Sequence, residues 1–181
     1  MKLSFNAFVA CFLLISFQAV CQNKFPDIKG KTLNDKQISL PQSSLGKYTL
    51  IGMAYSRKAE EQLNTWFNPV YTTFIQQDAK SLFPTESYDV NIYFVPMITG
   101  IAQTAGDKIE DKMKKNIEDD LKPHVMLYEG EVKSYKETLK MADKEQPYFF
   151  VLDEAGKIIY STSGAYTEKK MEQIIDKIEQ D

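Results

Sequence analysis

The chain has 181 residues, a net charge of −3, an apolar fraction of 43% and a charged fraction of 26%. That size and balance describe one folded domain able to bury a core, and they exclude fibrous, low-complexity and repeat architectures. The lysines are interleaved with acids, as in Asp107-Lys108-Ile109-Glu110-Asp111-Lys112, so there is no basic stripe to neutralise a phosphate backbone, and nucleic-acid binding is excluded too.

Lys2 precedes an apolar stretch from Ala7 to Phe17, followed by Gln18-Ala19-Val20-Cys21. The stretch is too short to span a bilayer comfortably, and it predicts a secretory signal peptide over residues 1–21 ahead of a single domain at 22–181. A cut after Cys21 places Ala19 and Cys21 where signal peptidase favours small side chains and makes Gln22 the new N-terminus. Lys2 is the only charged residue before Gln22, so cleavage takes the net charge from −3 to −4. The rival reading is a lipoprotein anchored at Cys21. Val20 and Gln18 stand where a lipobox carries a small and an aliphatic residue, which favours soluble export. A periplasmic or secreted location is therefore expected, with membrane attachment only if Cys21 is lipidated. Cys11 and Cys21 are the only cysteines, so the exported domain holds none, or one that is acylated, and it cannot form a disulfide within itself.

Within the domain, Gln37 to Leu40 is a short strand candidate closed by Pro41, and Tyr48 to Tyr55 is a continuous apolar run of buried-strand length. From Ala59 onward Leu63, Trp66, Phe67, Val70, Tyr71 and Phe74 recur at three- and four-residue steps, which draws one stripe along a helix. Pro69 falls inside that helix and should interrupt it. Val90 to Val95 alternates as a strand that should stop at Pro96, and Gly100 opens a linker. Ile109, Met113, Ile117 and Leu121 then recur by fours on a mostly charged helix with one buried edge. Val125 to Tyr128 reads as a strand, Val132 to Met141 as a short helix, and Pro147 to Leu152 as a strand entering the turn Asp153-Glu154-Ala155-Gly156. Lys157 to Tyr160 pairs back as a hairpin. Thr167 can cap a last helix with Glu168 in its first turn and Met171, Ile174, Ile175 and Ile178 on its buried face.

That order of elements resembles the thioredoxin fold. Phe25-Pro26-Asp27-Ile28-Lys29-Gly30, Thr32-Leu33 and Ile38-Ser39-Leu40 are similar to the N-terminal extension of the redoxin branch, which includes peroxiredoxins and envelope thioredoxins. Gln146-Pro147-Tyr148 through Asp153, with Gly156-Lys157-Ile158, is similar to the segment that follows the family's cis-proline. Tyr48 through Trp66 and the step Val95-Pro96-Met97 look most like the redoxin-like assembly factors of the mitochondrial ATP synthase. The resemblance covers about residues 25–181. It implies a thioredoxin-like α/β fold: a central mixed sheet flanked by helices, with a helical insertion before the C-terminal hairpin and helix.

Matched to the family, the active-site loop is Tyr55-Ser56-Arg57-Lys58-Ala59, and Ser56 and Ala59 hold the two cysteine positions of a redox thioredoxin. Disulfide exchange needs a thiolate nucleophile and a second, resolving thiol. A serine hydroxyl supplies neither, because a helix dipole worth about 0.3–1 kcal/mol cannot ionise it. A peroxidatic thiolate is missing for the same reason. A hydrolase reading would pair Ser56 with His124, the only histidine, and would also need an acidic orienter and an oxyanion hole. His124 beside Pro123 reads instead as a capping or surface residue at a helix end. One histidine and no cysteine leave no metal site. The run Glu118-Asp119-Asp120 does not alternate along a glycine-containing loop as a calcium site would. No cofactor is expected.

The fold should bring Tyr55, Ser56, Arg57 and Lys58 together with a cis-proline and binding edge formed by Gln146, Pro147 and Tyr148. Redox relatives hold extended substrate polypeptide there, and Arg57 and Lys58 would give that surface a pull on anionic groups. The expected function is a non-catalytic polypeptide-binding, assembly or chaperone-type factor of the cell envelope. The alternative is a thiol-disulfide oxidoreductase or peroxiredoxin-related enzyme that works with a partner's cysteines.

Overall fold

The computed structural model describes residues 24–76, 88–100 and 105–179. The signal-peptide segment, Cys11, Cys21, Gln22 and most of the linker after Gly100 lie outside the described residues. Seven strands make one mixed sheet in the order β2-β1-β5-β4-β3-β6-β7. They are β1 (Ile28–Thr32), β2 (Gln37–Leu40), β3 (Tyr48–Ala54), β4 (Val90–Ile98), β5 (Met126–Glu129), β6 (Tyr148–Leu152) and β7 (Ile158–Ser163). The helices are α1 (Arg57–Leu63), α2 (Phe67–Val70), α3 (Gly106–Asn116), α4 (Lys133–Thr138) and α5 (Glu168–Ile178).

The centre is β3, parallel to β4 from Tyr48↔Val90 to Ala54↔Pro96 and antiparallel to β6 on its other side. A strand covered on both faces reads as a continuous apolar run, and β3 is buried from Thr49 to Ala54. Successive residues then divide between two cores. Leu50, Phe149 and Val151 face the layer holding Leu63, Trp66, Phe94 and Ile174. Ile51, Met53, Phe150 and Leu152 face the layer holding Phe25, Ile28, Leu40 and Met141. Trp66 anchors the first layer: its ring lies 4.0 Å from that of Phe149, and its indole N–H donates to the Gly164 carbonyl at 3.0 Å. Gly52 is required in β3, because a Cβ there would come within 2.5 Å of the Phe149 ring.

Five features depart from the sequence expectations. First, β1 was not foreseen as a strand, because Lys29, Gly30 and Lys31 mask its apolar alternation. It pairs with β2 from Ile28↔Leu40 to Lys31↔Gln37 and with β5 at Lys31↔Leu127 and Thr32↔Met126. Second, β4 does not stop at Pro96. That residue faces Ala54, the last of β3, and the strand continues because Met97 and Ile98 gain new partners in Tyr128 and Glu129 of β5. Third, α3 ends at Asn116 and Ile117 is extended; Leu121 belongs to a separate 3₁₀ segment, Asp119–His124. A helix running on to Leu121 would have placed Glu118, Asp119 and Asp120 against the negative end of its dipole. Fourth, α4 is shorter than predicted, covering Lys133–Thr138. Fifth, among the described residues the cis peptide bond is Leu40–Pro41 and not Gln146–Pro147; an X–Pro bond stays trans unless its surroundings hold it otherwise. The interruption predicted at Pro69 is present: α1 gives way to a 3₁₀ turn at Asn64–Trp66, to α2, and then to a π-helical turn at Tyr71–Ile75. Thr167 caps α5 by accepting from the Lys170 N–H, as expected.

Candidate functional site

The carboxyl ends of β3 and β4 and the N-terminus of α1 meet at one edge of the sheet, the place where open α/β sheets present their crevices. Ser56 is extended and caps α1, accepting from the Ala59 N–H at 3.2 Å. Its hydroxyl proton is given to the Lys144 carbonyl. Both functions of the hydroxyl are therefore used within the chain, and Ser56 has no base to activate it. His124 lies elsewhere, with Nδ1 3.1 Å from the Ile92 carbonyl, and burial lowers its pKa against the opposing pull of that carbonyl. The Ser56–His124 pairing considered from the sequence is absent. Ala59 is fully buried in the core, where a resolving thiol would have stood.

The segment before β6 closes one flank of this helix end. Lys58 pairs with Glu145 at 2.6 Å, and Gln62 donates to the Glu145 carbonyl at 2.8 Å. The Tyr55 hydroxyl donates to the Met141 carbonyl at 2.7 Å, and burial pushes its pKa up to about 12. Tyr148 takes a hydrogen bond from the Asp143 N–H at 2.7 Å. Tyr55, Ser56, Lys58 and Tyr148 thus converge as expected, but on the chain's own residues 141–145. The cationic surface expected from Arg57 and Lys58 is offset as well: Lys58 has Glu145, and Arg57, almost fully exposed, lies 3.3 Å from Glu61.

On the other flank the described residues leave a cleft of about 650 Å³ between α1 and α3, lined by Met97 and Ile98 of β4, by Leu63, Phe67, Ile109 and Met113, and by Tyr55, Ser56 and Arg57 of the loop. β4 overruns the end of β3 by Met97 and Ile98. α3 is fastened by Lys31 and Lys114, each within 3.4 Å of both Asp35 and Glu110. Glu60 projects from the first turn of α1 into the cleft lining. Its carboxylate makes no hydrogen bond or ion pair among the described residues, and burial raises its pKa, opposed by the charge of Arg57. Sequence reading missed this residue; its one visible signal is an acid at a helical position beside Leu63 and Phe67. No cluster of metal-ligating side chains occurs among the described residues, and no described helix is long and apolar enough to cross a membrane.

The family model described as ATP10 protein matches residues 16–180. No curated protein matches the chain. Among solved structures, the exposed lipoprotein thioredoxin Etrx1 of Streptococcus pneumoniae superposes with a TM-score of 0.55 at 13% identity, covering 84% of this chain and 99% of that one. BsSco, a member of the Sco family of cytochrome c oxidase assembly proteins, gives 0.54 at 10% identity, with 86% and 92% covered. The thioredoxin domain of a thiol-disulfide oxidoreductase of Bacteroides vulgatus gives 0.50 at 19% identity, with 88% and 98% covered. At these identities the likeness is one of fold, and the fold is thioredoxin-like.

Proposed function

Because this chain belongs to the ATP10 protein family, we propose that it is an exported, redox-inactive factor that binds polypeptide and serves assembly in the cell envelope. The family and the thioredoxin-like fold support an assembly-type or redoxin-like role. The choice between those two rests on one observation: the position of the attacking cysteine is Ser56, whose hydroxyl is spent on the α1 cap and on the Lys144 carbonyl. A partner's cysteines would find no nucleophile at this helix end, so the oxidoreductase alternative lacks its first step.

The test uses the protein purified from its own host. Intact mass and thiol titration under denaturing conditions should give a chain beginning at Gln22 without a titratable thiol, and reduction of insulin by dithiothreitol should run no faster in its presence. Crosslinking in the host should then capture the same polypeptides with the native protein and with Ser56→Ala. Accelerated insulin reduction, or an activity lost in Ser56→Ala, would overturn the proposal. A diacylated chain beginning at Cys21 would place the same factor on a membrane.

A further inference from the structure

The cleft between α1 and α3 differs from the loop-closed flank in having a carboxylate with no hydrogen bond or ion pair among the described residues. Glu60 shares the cleft with the apolar Leu63, Phe67, Met97 and Met113 and with the polar Arg57, Asn64 and Lys112, and a half-buried ionised acid is costly until a cation or a donor joins it. Arg57 favours the ionised form of Glu60 only through charge at a distance, and no cation pairs with it directly among the described residues. Arg57 reaches Glu61 at the exposed rim, and Lys112 is exposed on the far wall without an ion pair among the described residues. The two methionines are unbranched and polarisable, so the walls can fit apolar side chains of varied shape. The volume of about 650 Å³ is within the usual range of roughly 300–1,000 Å³ for built binding pockets.

We infer that this cleft is a peptide-docking site for an apolar stretch of polypeptide carrying one lysine or arginine, whose cationic head pairs with Glu60 while its neighbours pack on Leu63, Phe67, Met97 and Met113. The inference rests on the polypeptide-binding reading above and places that binding on the α3 side of the loop, whose Tyr55, Ser56 and Arg57 also line the cleft, rather than on the side closed by residues 141–145. The basic residue sets register and discriminates among apolar segments, because a segment without it leaves Glu60 desolvated and unpaired. Lys112 at the rim is positioned for an acidic residue flanking the apolar stretch.

The experiment is selection of short random peptides displayed on phage against the full exported chain, followed by affinity measurement on the synthetic winners. Benzophenone side chains introduced at Lys112, beside the cleft, or at Lys58, on the closed flank, report where each winner sits. The expected result is enrichment of apolar peptides with one Lys or Arg, crosslinking at Lys112, and affinity about tenfold weaker in Glu60→Gln, the scale of one charge-assisted hydrogen bond. Replacing the peptide's Lys by norleucine should cost the native protein the same factor and cost Glu60→Gln nothing. A thermal melt of Glu60→Gln no lower than that of the native protein separates this loss from misfolding. Winners without a basic residue, or indifferent to Glu60→Gln, would overturn the assignment. Winners that crosslink at Lys58 would overturn it too but leave the polypeptide-binding reading standing. No winners at all would sink both.

Discussion

The N-terminus of α1 has two flanks built from the same few residues and used in opposite ways. On the flank facing β6, four polar side chains find internal partners: Ser56 with Lys144, Lys58 with Glu145, Gln62 with the Glu145 carbonyl, and Tyr55 with Met141. On the flank facing α3, Glu60 lines a cleft and makes no hydrogen bond or ion pair among the described residues. Satisfied polar groups add stability and rigidity, whereas a half-buried unpaired acid lowers stability and is retained at a cost. The comparison teaches that one side of this helix end is closed by the chain's own residues 141–145, and that the proposed binding falls on the other.

The largest perturbation should fall on both flanks together. Trp66→Ala removes the ring packed on Phe149 and the donor to Gly164 beneath α1; an expected loss of about 3–5 kcal/mol in denaturant unfolding would mark the two flanks as resting on one foundation. The next effects should separate them. Tyr55→Phe leaves the Met141 carbonyl without its donor and should cost about 1–2 kcal/mol of stability, while its ring, which lines the cleft, is kept. Met113→Ala, half-buried on the cleft wall, should do the reverse, weakening peptide affinity several-fold while costing roughly 1 kcal/mol or less in unfolding. Ser56→Ala should cost about 1 kcal/mol for the lost cap, and Ser56→Asp should recover most of it because a carboxylate caps a helix equally well.

The smallest effect is one of pH, and its sign differs between regions. Glu60 has a folded pKa raised above the ordinary 4.5 by burial. Between those two values the folded chain keeps a proton that the unfolded chain has released, so its contribution to stability falls as pH rises through that window. Glu110 and Asp35 have folded pKa values lowered by hydrogen bonds from Lys114, then from Lys31. Their contribution is present above the ordinary carboxylate range and is lost as pH falls through the lowered values. Stability measured against pH in Glu60→Gln should lack the first slope and keep the second. Glu60→Gln should therefore be at least as stable as the native protein at neutral pH.

The sheet and most helices were legible in the sequence because their signals are local: the apolar run of β3, the stripe through Trp66 and Phe74, the turn at Asp153–Gly156, the cap at Thr167. The loop between β3 and α1 was singled out only through resemblance, since Ser56 and Ala59 carry no chemistry of their own. What escaped depends on distant chain segments. β1 becomes a strand because β2 and β5 supply partners on both sides. β4 outlasts Pro96 because β5 receives its end. The closure of the loop by Lys144 and Glu145 joins residues more than eighty positions apart. Glu60 looked like one of many helix acids until α3 placed Met113 and Ile109 opposite it.

The most direct measurement is partner capture by crosslinking in the host, with Ser56→Ala and Glu60→Gln compared side by side at equal protein level. The division of labour described above predicts that Ser56→Ala captures the native set of polypeptides undiminished and that Glu60→Gln loses most of it. Loss in Ser56→Ala with retention in Glu60→Gln would contradict it, and would return the function to the loop where redox relatives keep theirs.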